Sequence, residues 1–134
     1  MRVLAIDLGD VRTGVALSDL TGTLAGRAFT IEERDMARLA DAIAQLVQAE
    51  DVGEIVLGNP KNMDGSQGEQ SQKSRAFKQL LEARLDIKIV LWDERLTSAA
   101  AHDILRQNGK RAAKHKKTVD AVAAALILES YLGR

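Results

Sequence analysis

The fold is decided between residues 3 and 31, by Val3-Leu4-Ala5-Ile6-Asp7-Leu8-Gly9, then Gly14-Val15-Ala16-Leu17-Ser18, then Arg27-Ala28-Phe29-Thr30-Ile31. The first run opens with four consecutive apolar residues, the pattern of a strand covered on both faces. The next two runs each follow a glycine-containing turn, so the three read as an antiparallel meander. Beyond them, strands alternate with helices. Met36, Leu39, Ala40, Ile43, Leu46 and Val47 fall at helical spacing, with Thr30 and Glu33, or Asp35 alone, as candidate caps. Glu54-Ile55-Val56-Leu57 is another buried strand, closed by Gly58-Asn59-Pro60. A polar loop over 61–68 leads to a helix marked by Phe77, Leu80 and Leu81, with Ser66 and Glu69 at capping-box spacing. Residues 87–92 form an apolar strand, and 98–108 a helix stopped by Gly109. Val119, Val122, Ala123, Leu126, Ile127 and Tyr131 mark a final amphipathic helix.

The order β-β-β-α-β-α-β-α-α predicts an α/β fold: a central mixed five-stranded sheet, three antiparallel strands followed by parallel ones, flanked by helices. This order resembles that of the ribonuclease H-like fold. A length of 134 residues suits one domain, 1–134. The chain is 46% hydrophobic and 28% charged, as in globular proteins. No apolar run nears the ~20 residues of a membrane span, and Asp7 comes too early for the roughly 7–15 apolar residues of a secretory signal. A cytoplasmic protein is expected. With no cysteine, disulfides, thiolate metal sites and a Cys nucleophile are excluded. His102 and His115 are too few for a three-histidine zinc site, so a bound metal would need oxygen ligands, which points to Mg²⁺ or Mn²⁺.

Three acidic positions stand where chemistry can occur. Asp7 follows one buried strand, Asp93 and Glu94 follow another, and Asp120 lies in the first turn predicted for the last helix. In open α/β sheets, ligands bind outside the carboxyl ends of strands. Carboxylates gathered there repel one another unless hard divalent cations sit between them. Two such ions, roughly 3.5–4 Å apart, suit in-line displacement at a phosphodiester, with a metal-activated water as nucleophile. Simpler roles compete at each position. Asp7 could be a turn residue, Asp93-Glu94-Arg95 a surface ion pair, and Asp120 a charge favouring the helix dipole behind a Thr118 N-cap.

Acidic and basic residues balance at 19 each, but their distribution is uneven. Between Ile104 and Val119 stand Arg106, Lys110, Arg111, Lys114, His115, Lys116 and Lys117, with no acid. This segment, just before Asp120, would present positive charge to a nucleic-acid backbone. Arg12, Lys61, Asn62, Ser66 and Arg95 are further candidate contacts, and Lys114, Lys116 and Lys117 lead the basic set. Four aromatics, Phe29, Phe77, Trp92 and Tyr131, are too few for a surface that grips single strands by stacking many bases.

Several motifs together resemble the YqgF (RuvX) family, described both as Holliday junction resolvase-like proteins and as nucleases of small-subunit ribosomal RNA precursors. They are Ala5-Ile6-Asp7-Leu8-Gly9 with Arg12-Thr13-Gly14-Val15-Ala16, Val56-Leu57-Gly58-Asn59-Pro60 with Asn62-Met63-Asp64-Gly65-Ser66, Asp93-Glu94-Arg95-Leu96-Thr97, and Val119-Asp120-Ala121-Val122-Ala123-Ala124. The resemblance implies a ribonuclease H-like nuclease using Mg²⁺ or Mn²⁺, with a catalytic triad of Asp7, Glu94 and Asp120 and Asp93 beside it as a further metal ligand. It implies action on structured RNA at the 5′ end of the small-subunit precursor, or on branched DNA, by a monomer or homodimer, with ribosomal particles as a further partner. One departure is Asn59, where the family usually reads Gly-Leu-Pro; in the related RuvC resolvases an essential Glu stands near this strand end. Asn59 carries no charge, so a third ligand must come from elsewhere. Two other classes compete: a nucleotide-binding ATPase, since Asp7-Leu8-Gly9 also resembles the first phosphate loop of the actin/hexokinase group, and a non-catalytic RNA- or transcription-associated adaptor.

Overall fold

The computed structural model describes residues 1–60, 64–66, 68–96 and 116–134, with the backbone alone for 96 and 116–120. Three strands open the chain: β1 (Arg2–Asp7), β2 (Arg12–Ser18) and β3 (Ala25–Glu32). Helix α1 (Met36–Ala49), strand β4 (Val52–Asn59), helix α2 (Glu69–Glu82) and strand β5 (Lys88–Asp93) follow. After a single 3₁₀ turn at Glu94–Leu96, the last described helix is α3 (Lys116–Leu132). The five strands form one sheet in the order β3-β2-β1-β4-β5. β1 runs antiparallel to β2 and parallel to β4, and β5 joins parallel to β4. This is the mixed α/β sheet read from the sequence.

β1 lies at the centre, which is why its apolar run is continuous. Leu4 and Ile6 enter the core beneath α1 and α2, while Val3 and Ala5 enter the core beneath α3. Strand alternation sends successive side chains to opposite faces. The α1/α2 side holds Leu39, Ile43, Phe77 and Leu81. The α3 side is built from smaller groups, Ala5, Ala16 and Ala124, with Ile127, Leu128 and Tyr131. Small residues let the helix approach the strands closely. Burying each Leu or Phe of these cores contributes on the order of 1.5–3 kcal/mol.

One helix start matches an alternative read from the sequence, and two differ from expectation. Asp35 alone caps α1, its carboxylate accepting from the Arg38 N–H at 3.0 Å. The capping box at α2 does not form: Gly68 is the N-cap, with no side-chain hydrogen bond. Ser66 instead donates its hydroxyl to Asp64 at 2.6 Å, because a short Asp-x-Ser turn satisfies it before the helix begins. α3 starts at Lys116, upstream of its apolar stripe, so Thr118 stands inside the helix rather than capping it. Lysines propagate a helix well, and the two before Thr118 are absorbed into it. The helix expected over 98–108, and its Gly109 stop, lie outside the described residues. Among the described residues, no helix is long and apolar enough to cross a membrane.

Candidate functional site

Asp7 ends β1, and its neighbours in the sheet define its surroundings. It pairs with Gly14 of β2. On the other side, Ile6 pairs with Leu57, so the next residue of β4, Gly58, stands beside Asp7 at one strand spacing, about 4.8 Å. By alternation with Val3 and Ala5, Asp7 belongs to the α3 face. A glycine on each flanking strand leaves the floor around this carboxylate low.

Glu94 reaches the same floor from β5. A Cβ placed on Gly58 would lie 2.6 Å from Glu94 Oε1 and 2.8 Å from Ile127 Cδ1. The Glu94 carboxylate therefore rests over Gly58, on the α3 face, next to the strand that carries Asp7. The sequence reads Gly58 as the close of the strand, whereas it stands inside β4 beneath Glu94. The signal that could have found it is a glycine inside a buried strand, which marks a close approach by another group.

Asp93 is placed otherwise. It pairs with Asn59 at the end of the β4–β5 ladder, one residue past Trp92, and so falls on the α2 face. Its carboxylate binds Arg95, accepting from Nη2 at 2.7 Å, from Nε at 3.0 Å and from the Arg95 backbone N–H at 2.9 Å. This is the ion pair that the simpler reading of Asp93-Glu94-Arg95 anticipated, and hydrogen bonding to Asp93 raises the Arg95 pKa. Asn59, the departure from the family motif, is also on this face. It is buried, and its Oδ1 accepts from Ser71 Oγ of α2 at 2.5 Å. Thus β4 closes with a neutral hydrogen bond to α2, away from the face shared by Asp7 and Glu94.

The course of α3 relates Asp120 to the other two. The Tyr131 hydroxyl donates to Glu54, near the start of β4, while Ile127 meets Gly58, near its end. Going backward along α3 therefore leads toward the carboxyl ends of β1 and β4. Asp120 is the fifth residue of α3, one helical turn before Ala124 and two before Ile127, both of which face the sheet. Its side chain lies outside the described atoms. Among the described residues, no group of three or more acidic or histidine side chains is close enough to share a metal ion. What is described is a pair, Asp7 and Glu94, with position 120 on the approaching helix.

The turn after Asp7 is held tightly. A Cβ on Gly9 would overlap the Arg12 carbonyl oxygen, so only glycine fits. The Gly9 N–H donates to the buried Thr13 hydroxyl at 3.3 Å. From α2, Gln70 Nε2 donates to the Leu8 carbonyl at 3.2 Å, and Lys73 pairs with Asp10 at 3.0 Å. The hydrogen bond to Asp10 raises the Lys73 pKa. The remaining candidates are dispersed. Arg12 pairs with Glu32 across the β2–β3 ladder at 3.3 Å. Ser66 binds Asp64, whose pKa falls through the two Ser66 hydrogen bonds and, less, through Arg95 nearby. Gly65, at φ +87, lies against the Arg95 guanidinium, which brings the 64–66 turn beside the end of β5. Lys116 and Lys117 lie in the first turn of α3, and Lys61, Asn62 and Lys114 lie outside the described residues.

A family model, RuvX, described as "Holliday junction resolvase", matches residues 1–134. The chain belongs to the RuvX family. Its RuvX relatives include a protein of Shouchella clausii, 43% identical, with 100% of this chain and 96% of that protein covered. Another, from Thermoanaerobacter pseudethanolicus, is 41% identical, with 98% and 96% covered. Both carry the name "Putative pre-16S rRNA nuclease". Among solved structures, a Thermus thermophilus RuvC in complex with a Holliday junction substrate superposes with a TM-score of 0.62 at 13% identity, covering 98% of this chain and 94% of that one. The fowlpox virus resolvase with its junction DNA gives 0.60 at 14% identity, covering 99% and 97%. This RuvX chain therefore has the RuvC-like ribonuclease H fold.

Proposed function

We propose that this RuvX protein is a divalent-metal-dependent endonuclease that hydrolyses phosphodiester bonds in structured RNA and acts at the 5′ end of the small-subunit ribosomal RNA precursor. The observation that carries the reading is that Asp7 and Glu94 share the α3 face beside Gly58, with α3 leading Asp120 back toward the same end. The donors fit a hard cation: they are carboxylates, and the chain has no cysteine. Asp7 and Glu94 would hold Mg²⁺ or Mn²⁺ with Asp120 as the third ligand, and Asp93, committed to Arg95, stays outside. A cation held there supplies Lewis acidity to the phosphodiester and acidifies a water molecule.

The chain's own residues do the rest. The glycines beside Asp7 let a backbone come close. The α2 contacts to Leu8 and Asp10 keep the turn after Asp7 in one geometry. Arg95, beside the 64–66 turn, would bind a phosphate, and Lys114, Lys116 and Lys117 are the basic residues that the sequence offers for the same role. The names of the RuvX relatives support RNA as substrate, and work on ribosomal precursors would place the protein in the cytoplasm.

The test sets purified protein against a ribosomal RNA precursor fragment and a four-way DNA junction, with Mg²⁺, with Mn²⁺ and with EDTA. The expected result is RNA cleavage that requires metal and disappears in Asp7→Asn, with an unchanged circular dichroism spectrum. Preferential cutting of the junction would move the substrate to DNA. Cleavage of neither, or cleavage that survives Asp7→Asn, overturns the enzyme and leaves the adaptor.

A further inference from the structure

The end of the sheet that carries Asp7 has a second feature. Where the chain passes from β3 into α1, beside the start of β2, it leaves a groove of about 600 Å³. Arg12, Glu32, Glu33, Arg34, Asp35 and Arg38 line it. Three acids and three arginines cancel formally, yet they are not equally engaged. Glu32 pairs with Arg12 Nε at 3.3 Å. The Glu33 carboxylate accepts from the Asp35 N–H at 3.2 Å, and the Asp35 carboxylate accepts from the Arg38 N–H at 3.0 Å. Glu33 and Asp35 each accept from a backbone N–H, and Glu32 faces Arg12 as an ion pair. The guanidiniums of Arg34 and Arg38 are exposed, and among the described residues neither meets a carboxylate within ion-pair distance.

We propose that this groove is a subsite for a backbone phosphate of the nucleic-acid substrate, with Arg34 and Arg38 as its ligands. The proposal deepens the nuclease reading and rests on it. A guanidinium presents a planar fork that matches two phosphate oxygens, so two such forks in one groove can hold one phosphate between them. The position is apt. Asp7 pairs with Gly14, so Arg12 stands two residues farther along β2, about 6.8 Å, at the same end of the sheet. A strand cut at the carboxylates would reach this groove a short step along its backbone, on the β3 side.

The test is binding, separate from cleavage. A fluorescently labelled single-stranded RNA is titrated in EDTA by anisotropy, at several salt concentrations. Arg34→Gln with Arg38→Gln should weaken binding about tenfold for each guanidinium lost. The plot of log affinity against log salt should become shallower by about 1–2. Arg34→Gln alone, outside any helix, should give half of the effect. Arg27→Gln is the control: it removes the same charge at the far end of β3, where Arg27 pairs with Glu50 at 2.6 Å, and should bind as wild type. A double variant with wild-type affinity and slope overturns the groove while the nuclease reading stands. So does an equal loss in Arg27→Gln, which would make the effect one of net charge. Wild-type protein that binds no RNA overturns both.

Discussion

At Gly58 a single added methyl would disturb the proposed site. Alanine there puts a methyl into the space held by Glu94 Oε1 and Ile127 Cδ1, and both side chains must give way. Gly58→Ala should fold, with stability to urea lower by about 1–3 kcal/mol. Moving a carboxylate by about 1 Å should also lower the cleavage rate on the order of 100-fold. Full activity in this variant would show that Glu94 does no work at its present position. Asp19 offers a residue-scale test by pH. Its carboxyl is lowered to about 2, chiefly by the Thr23 N–H, then by the Thr21 hydroxyl. Because the folded value is depressed, this turn's contribution to stability is complete above the usual carboxylate range and fades as pH falls toward 2. A carboxyl-carbon NMR titration should find the low midpoint, and Thr21→Val should raise it. Residue identity in the site was only half readable from sequence. Asp93 and Glu94 both stand at the end of an apolar strand, and a shift of one position there exchanges their faces. Only the Asn59–Asp93 pairing, with the 3₁₀ turn after it, separates them.

At the scale of elements, apolar period was the dependable signal and local polar chemistry was not. The stripe Leu39, Ala40, Ile43 and Val47 is buried as its spacing predicted, since burial of one helix face is what makes that spacing. The caps were ambiguous because serine, threonine and aspartate serve turns as well as helices. Asp35 satisfies a helix donor, whereas Ser66 satisfies Asp64. The two can be told apart by substitution. Asp35→Ala should cost about 1 kcal/mol in urea denaturation. Ser66→Ala, at an exposed position that caps nothing, should stay within about 0.5 kcal/mol of wild type. Equal losses would restore the capping box at α2. The start of α3 eluded the apolar pattern for a related reason: its first residues, Lys116 and Lys117, are polar, and helix propensity alone extends the helix through them.

For the whole molecule, the order of elements was enough to predict the sheet, because three strands joined by short turns must pair antiparallel, and strands joined through helices must run parallel. The same topology explains why acids so distant in sequence can cooperate. β1 is central, β4 lies beside it, β5 delivers Glu94 across β4, and α3 returns over the opposite face from α1 and α2. A cation bound by residues from β1, β5 and α3 would tie three separate parts of the chain together, so metal binding should appear as global stability. A ligand bound only by the folded state stabilises it by RT ln(1 + [L]/Kd), about 1.4 kcal/mol at roughly ten times the dissociation constant. For a chain of this size that is a rise in Tm of about 3–6 °C. Wild-type protein should show this rise as Mg²⁺ or Mn²⁺ is added. Asp7→Asn and Glu94→Gln should each lose most of it, while Asp93→Asn, which removes an Arg95 partner on the other face, should keep it. A rise that depends on Asp93 and ignores Glu94 would place the cation on the α2 face and reverse the assignment.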